Sequence, residues 1–162
     1  MSYIKLNSTT PPAPAGARNV HFRQEGGHSG TASDPIPTSA YYERETGTIA
    51  LTVDGGASPP PTGSKGFTPS LPFAGTITKW ELLADQVGSL QVTIKKCTFA
   101  TFPTGAPIVA SAPPAIVSGQ KANSSTLTGW NTALAVGDIL EFVLDSISQI
   151  NRFVLKLEIM KG

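Results

Sequence analysis

Apolar side chains in this chain recur at every second residue, and no stretch beyond a few residues repeats them with the 3.6-residue period of a helix. Over Thr48–Val53, Ile49, Leu51 and Val53 share one face. Over Thr76–Asp85, Trp80, Leu82 and Ala84 face one way, with Lys79 and Glu81 opposite. Leu90, Val92 and Ile94 repeat the pattern, as do Leu140, Phe142 and Leu144, with Glu141 on the polar side. In the last stretch Phe153, Leu155, Leu157 and Ile159 oppose Arg152, Lys156 and Glu158. A strand with one face on a core and the other in water needs this alternation. It predicts an all-β fold of roughly seven or eight strands, an antiparallel β-sandwich of jelly-roll or immunoglobulin-like topology.

The residues between these stretches agree with short strands and many turns. The chain holds 16 glycines and 14 prolines, and lacks the Ala, Leu, Glu and Lys runs that helices use. Gln86-Val87-Gly88-Ser89 predicts a hairpin joining the Trp80 strand to the Leu90 strand, and the last two strands read as a terminal hairpin. Pro103, Pro107, Pro113 and Pro114 confine the segment from Phe102 to Ala115 to edge or loop. A further short strand is expected over Ser124–Trp130.

Residues 1–46 read differently from residues 47–162. Three prolines fall within residues 8–17, favouring an extended path, and Gly26-Gly27-His28-Ser29-Gly30 and Asp34-Pro35-Ile36-Pro37 interrupt regular pairing. Only Asn19–Arg23 reads as a short strand. Such a segment buries too little apolar surface to offset its ordering entropy, so it is expected to be an N-terminal arm held by a partner. An extended arm can dock by strand addition or as polyproline. Pro11 and Pro14 would keep it extended, while Tyr3, Ile4, Leu6, Val20 and Phe22 fill the partner's pockets.

Few residues carry chemistry. No serine stands in Gly-x-Ser-x-Gly spacing, and Gly63-Ser64-Lys65-Gly66, which lacks the rest of a phosphate loop, reads as a turn. One cysteine and two histidines do not make up a zinc set, and Cys97 reads as a strand-end residue. Asp54 and Asp85 read as turn caps, and Glu81 and Glu141 as solvated residues of polar faces, too little for sugar cleavage. No catalytic residue, cofactor or metal is expected. Net charge is +1 with no basic cluster beyond Lys95-Lys96, which argues against nucleic-acid binding. No apolar run approaches the ~20 residues of a membrane span, and Met1–Lys5 does not open a signal peptide. Trp80 reads as core, and Trp130, after Thr128-Gly129, as a surface aromatic able to contact a ligand.

Several segments nevertheless follow one another in a familiar order. They are Pro60–Phe67, Pro72–Gln86, Gly88–Val92, Thr98–Pro103, Thr126–Trp130, Gly137–Phe142 and Asp145-Ser146. Together they resemble a domain recurring in tailed-phage structural proteins. Leu6–Pro11, Ala13–Gly16 and Asn19-Val20 are similar to linkers of phage fibre proteins. Those linkers continue with Gln-x-Asp-Gly, where this chain has Arg23-Gln24-Glu25-Gly26.

The resemblance implies a non-enzymatic virion module, often trimeric, assembled in the host cytoplasm. The first expectation is a capsid decoration (cement) or head-fibre protein, docking on the major capsid protein or other virion subunits through the arm. The alternative is a tail-fibre adhesin subunit recognising a host-surface glycan. Only 14% of residues are charged, against roughly 25% in an average domain, which suits a homo-oligomer's contacts.

Overall fold

One long strand organises the fold. The computed structural model describes residues 19–21, 41–43 and 45–162, and in it Gly75–Thr98 is a single strand of 24 residues, β5. It is preceded by β1 (Asn19–His21), β2 (Tyr41–Glu43), β3 (Thr46–Asp54) and β4 (Gly63–Phe67). After it come β6 (Ala106–Pro107), β7 (Ala115–Ser124), β8 (Ala133–Leu134), β9 (Asp138–Ser148) and β10 (Arg152–Lys161). No helix occurs among the described residues.

The chain divides into two units, 1–45 with residue 162, and Thr46–Lys161. In the first, β1 and β2 form an antiparallel ladder pairing Asn19 with Glu43, Val20 with Tyr42 and His21 with Tyr41. The strand expected over Asn19–Arg23 is therefore present over Asn19–His21, and its partner β2 had no sequence signal.

In the second unit eight strands form one antiparallel sheet, ordered β3-β10-β5-β9-β4, with β6, β7 and β8 added along β5. The sheet curls as a half-barrel around one core. The first half of β5 pairs with β10, from Gly75↔Lys161 to Ala84↔Phe153. The second half pairs with β9, from Ser89↔Ser148 to Thr98↔Asp138. Strand β7 runs along the other edge, from Gln91↔Ala115 to Trp80↔Ser124.

Two expected hairpins are thereby corrected. Gln86–Ser89 does not reverse the chain, because the strand continues through it. Gly88 is buried there, and a Cβ on it would meet the Ser148 carbonyl oxygen and lie 2.7 Å from Ile150 Cγ1. Ile150, fully buried, comes from the connection between β9 and β10. That connection is tied to the same place: Asn151 N donates to Asp85 Oδ1 at 3.2 Å and Gln86 Nε2 donates to Gln149 O. The last two strands are not a paired hairpin either. They follow one another along β5, and β10 has β3 and β5 as its neighbours.

Two further readings are corrected: Gly63-Ser64-Lys65-Gly66 is not a turn but belongs to strand β4, and residues 125–130 are bend, loop and turn rather than strand. The strand of that region is β7, ending at Ser124. It escapes sequence reading because Ile116 is its one buried residue and Ser118 interrupts it at φ 47°.

The inward faces behave as the alternation requires. Leu82, Ile94, Leu140, Leu144, Leu155, Leu157 and Ile159 are fully buried, with Trp80, Phe142 and Phe153 among them. Each such side chain contributes on the order of 1.5–3 kcal/mol by leaving water. The proline-rich stretch is confined as expected, to the two-residue strand β6 and turns.

Candidate functional site

The sequence-predicted contact residues fall into three groups. Tyr3, Ile4, Leu6, Pro11, Pro14 and Phe22 lie outside the described residues. Val20 sits in β1 opposite Tyr42. Trp130 is not the surface aromatic expected from its loop position: it is only 9% exposed and belongs to the core cluster. Gly129 precedes it at φ 76°, a left-handed conformation that turns the chain sharply. The indole Nε1–H then donates to Ala112 O at 2.9 Å, satisfying the one polar atom that burial would leave unpaired.

The outer face of the sheet is charged but balanced. Where β5 lies beside β10, Lys156 Nζ stands 3.0 Å from Glu158 and 3.7 Å from Glu81. Lys79 Nζ completes the group, 3.6 Å from Glu158 and 4.0 Å from Glu81. The hydrogen bond between Lys156 and Glu158 raises the pKa of the lysine and lowers that of the glutamate. Further along, Lys95 pairs with Glu141 at 3.7 Å. Glu81 and Glu141 thus act as ion-paired residues of polar faces.

Asp54 caps its turn as expected, accepting from Gly56 N at 2.8 Å, and pairs with Arg152 at 3.0 Å. The Gly56 bond foremost, then Arg152, holds its carboxyl below the usual carboxylate range. Asp85 lies within β5 rather than beside a strand, and accepts from Asn151. Cys97 is buried one residue before the end of β5.

Sequence reasoning did not single out Asp138, which is 7% exposed at the start of β9. Its Oδ2 accepts from Ala135 N at 2.8 Å and stands 3.3 Å from Lys96 Nζ. Lys96 in turn donates to Ala133 O at 2.8 Å, so this carboxylate fastens the β8–β9 turn to β5. Among the described residues, no three His, Cys, Asp or Glu side chains gather as metal ligands.

A second unpredicted feature is aromatic. Phe67, at the end of β4, meets Phe102 edge-to-face with ring centroids 4.9 Å apart. With Thr68, Pro69, Ser70, Phe99 and Ile139 they line a groove of about 250 Å³ that contains no charged residue. Phe99 is 84% exposed, in the turn directly after β5. That turn is held by Thr101, whose hydroxyl accepts from Thr98 N at 3.0 Å and whose N donates to Thr98 O at 3.1 Å. Strand β4 beside it is an end strand of the sheet, with β9 as its neighbour. The signal in the sequence was Phe99 and Phe102 flanking a threonine-rich turn, where no alternation assigns them to a face.

No protein-family model and no characterised protein matches this chain at a significant level.

Proposed function

We propose that this protein is a structural component of a tailed-phage particle, most simply a capsid decoration or head-fibre protein. In this reading residues 1–46 are an arm that docks on the major capsid protein or other virion subunits, and residues 47–162 project outward. The protein acts as a homo-oligomer, three-fold by the same resemblance, and performs no catalysis. The observation that carries it is the ordered resemblance running from Pro60 to Ser146. Its residues have scaffold roles here: Trp80 and Trp130 are buried, Gly88 admits Ile150, and Asp138 fastens a turn. A module shared for its scaffold fits a particle component better than an enzyme.

The sandwich expected from the alternation corresponds, in this reading, to two ladders sharing β5, namely β3-β10-β5 and β4-β9-β5. The alternative, a tail-fibre adhesin recognising a host glycan, loses its nominated contact with the burial of Trp130.

Removing residues 1–44 leaves β3 intact from Thr46 and tests the arm directly. The truncated chain is expected to fold and to lose binding to virion shells stripped of this protein. Binding equal to that of the full chain overturns the docking role of the arm. Many copies per particle would add avidity to weak individual contacts, so binding should be read on shells and on isolated capsid subunits.

A further inference from the structure

We propose that the aromatic end formed by Phe67, Phe99 and Phe102 is the surface through which copies of this chain associate. The inference deepens the oligomeric part of the virion reading and is tested without shells, so that the two fail separately.

Three observations carry it. First, the exposed rings are concentrated. Phe67 is 43% exposed, Phe99 84% and Phe102 46%, which at roughly 200 Å² per ring leaves about 350 Å² of aromatic surface in water. A standard interface covers about 800 Å² per partner, so the rings supply a core, and the flanking, exposed Pro69 and Ser70 extend it.

Second, Phe99 is presented and not merely left outside. The Thr98–Thr101 hydrogen bonds fix its turn, and Thr104 N donates to Thr101 O at 2.8 Å. With the backbone of its turn already fixed, covering Phe99 costs only the freedom of its side chain.

Third, the charge pattern suits a second copy as the occupant. About a symmetry axis a surface meets itself, so any net charge on it would face the same charge. This groove has no charged side chain in its lining. The outer face of β5 and β10 does carry charges, and they pair within one copy: Lys79 and Lys156 with Glu81 and Glu158. Of these two surfaces, only the aromatic end brings no like charges together on an axis.

The test is sedimentation of the full chain across a micromolar concentration series, for wild type, Phe99→Ser and Val117→Asp. Val117 is 82% exposed on β7, outside the aromatic groove, and serves as the control. Wild type and V117D are expected to form the same closed oligomer. F99S should weaken association about 30-fold or more, the loss typical of a central anchor. Amide exchange over Thr98–Phe102 in wild type should slow as concentration rises, a readout that needs no variant. A monomeric wild type, an F99S oligomer as tight as wild type, or dissociation by V117D alone would each overturn the proposal.

Discussion

The two halves of β5 face the same core and end in opposite chemistry. Between Gly75 and Ala84 the strand turns Lys79 and Glu81 outward, where Lys156 and Glu158 of β10 complete a balanced set. Between Ser89 and Thr98 the inward Leu90, Val92 and Ile94 are just as buried, but the strand runs out into Phe99, bare to water. The inward faces differ little because both answer to one core. The outer surfaces differ because nothing in the core dictates them. A paired polar surface is complete in water, whereas an exposed aromatic one leaves apolar area in contact with it.

The comparison breaks most forcefully at the junction of the halves. Gly88→Val places a side chain against Ser148 O and Ile150, where backbone and a buried residue leave no room. A loss of several kcal/mol is expected, as for overpacking together with backbone displacement. Denaturant unfolding checks it, and one cooperative transition for probes in both halves would show that they fold as one unit.

Emptying the same place is the next largest change. Ile150→Ala removes a fully buried side chain and should cost about 2–5 kcal/mol in the same assay. Replacing Asp138 by Ala strands Ala135 N and takes the ionic partner from the Lys96 ammonium at the far end of β5. That variant should lose about 1–3 kcal/mol, with faster amide exchange in the β8–β9 turn.

The charged surface should respond least. Glu158 and Asp54 have depressed pKa values in the folded state, so their contribution is present above the unfolded values and is lost as pH falls through the folded ones. Thermal midpoints should therefore drop slightly on acidification below the ordinary carboxylate range. Added salt at neutral pH should also narrow the gap between wild type and Lys156→Met, since exposed pairs are screened. A large salt effect would mean that this surface is an interface after all.

How far the sequence reached can be followed along β5 itself. The inward positions Trp80, Leu82, Leu90, Val92 and Ile94 were legible because alternation is a local property of a strand on a core. So were the polar partners Glu81 and Lys79, and the cap at Asp54, whose hydrogen bond spans only two residues. The continuity of β5 was not legible. Gln86-Val87-Gly88-Ser89 has the composition of a turn, and what keeps it extended is Ile150, 62 residues further on. Trp130 misled for a related reason: its loop is local, but its burial depends on Ala112 O, across a turn that Gly129 makes.

The candidate surface divides in the same way. The phenylalanines at 67, 99 and 102 are visible in the sequence, but their convergence requires β4 to lie beside β9 at one end of a curled sheet. By itself the sequence determined the all-β class and which side chains face inward, because period and hydrophobicity act between near neighbours. Only the tertiary structure decided which strands pair, that the long strand runs on through Gln86–Ser89 and which aromatics meet. Those outcomes depend on close packing between residues far apart in the chain, where a single Cβ or ring decides what fits.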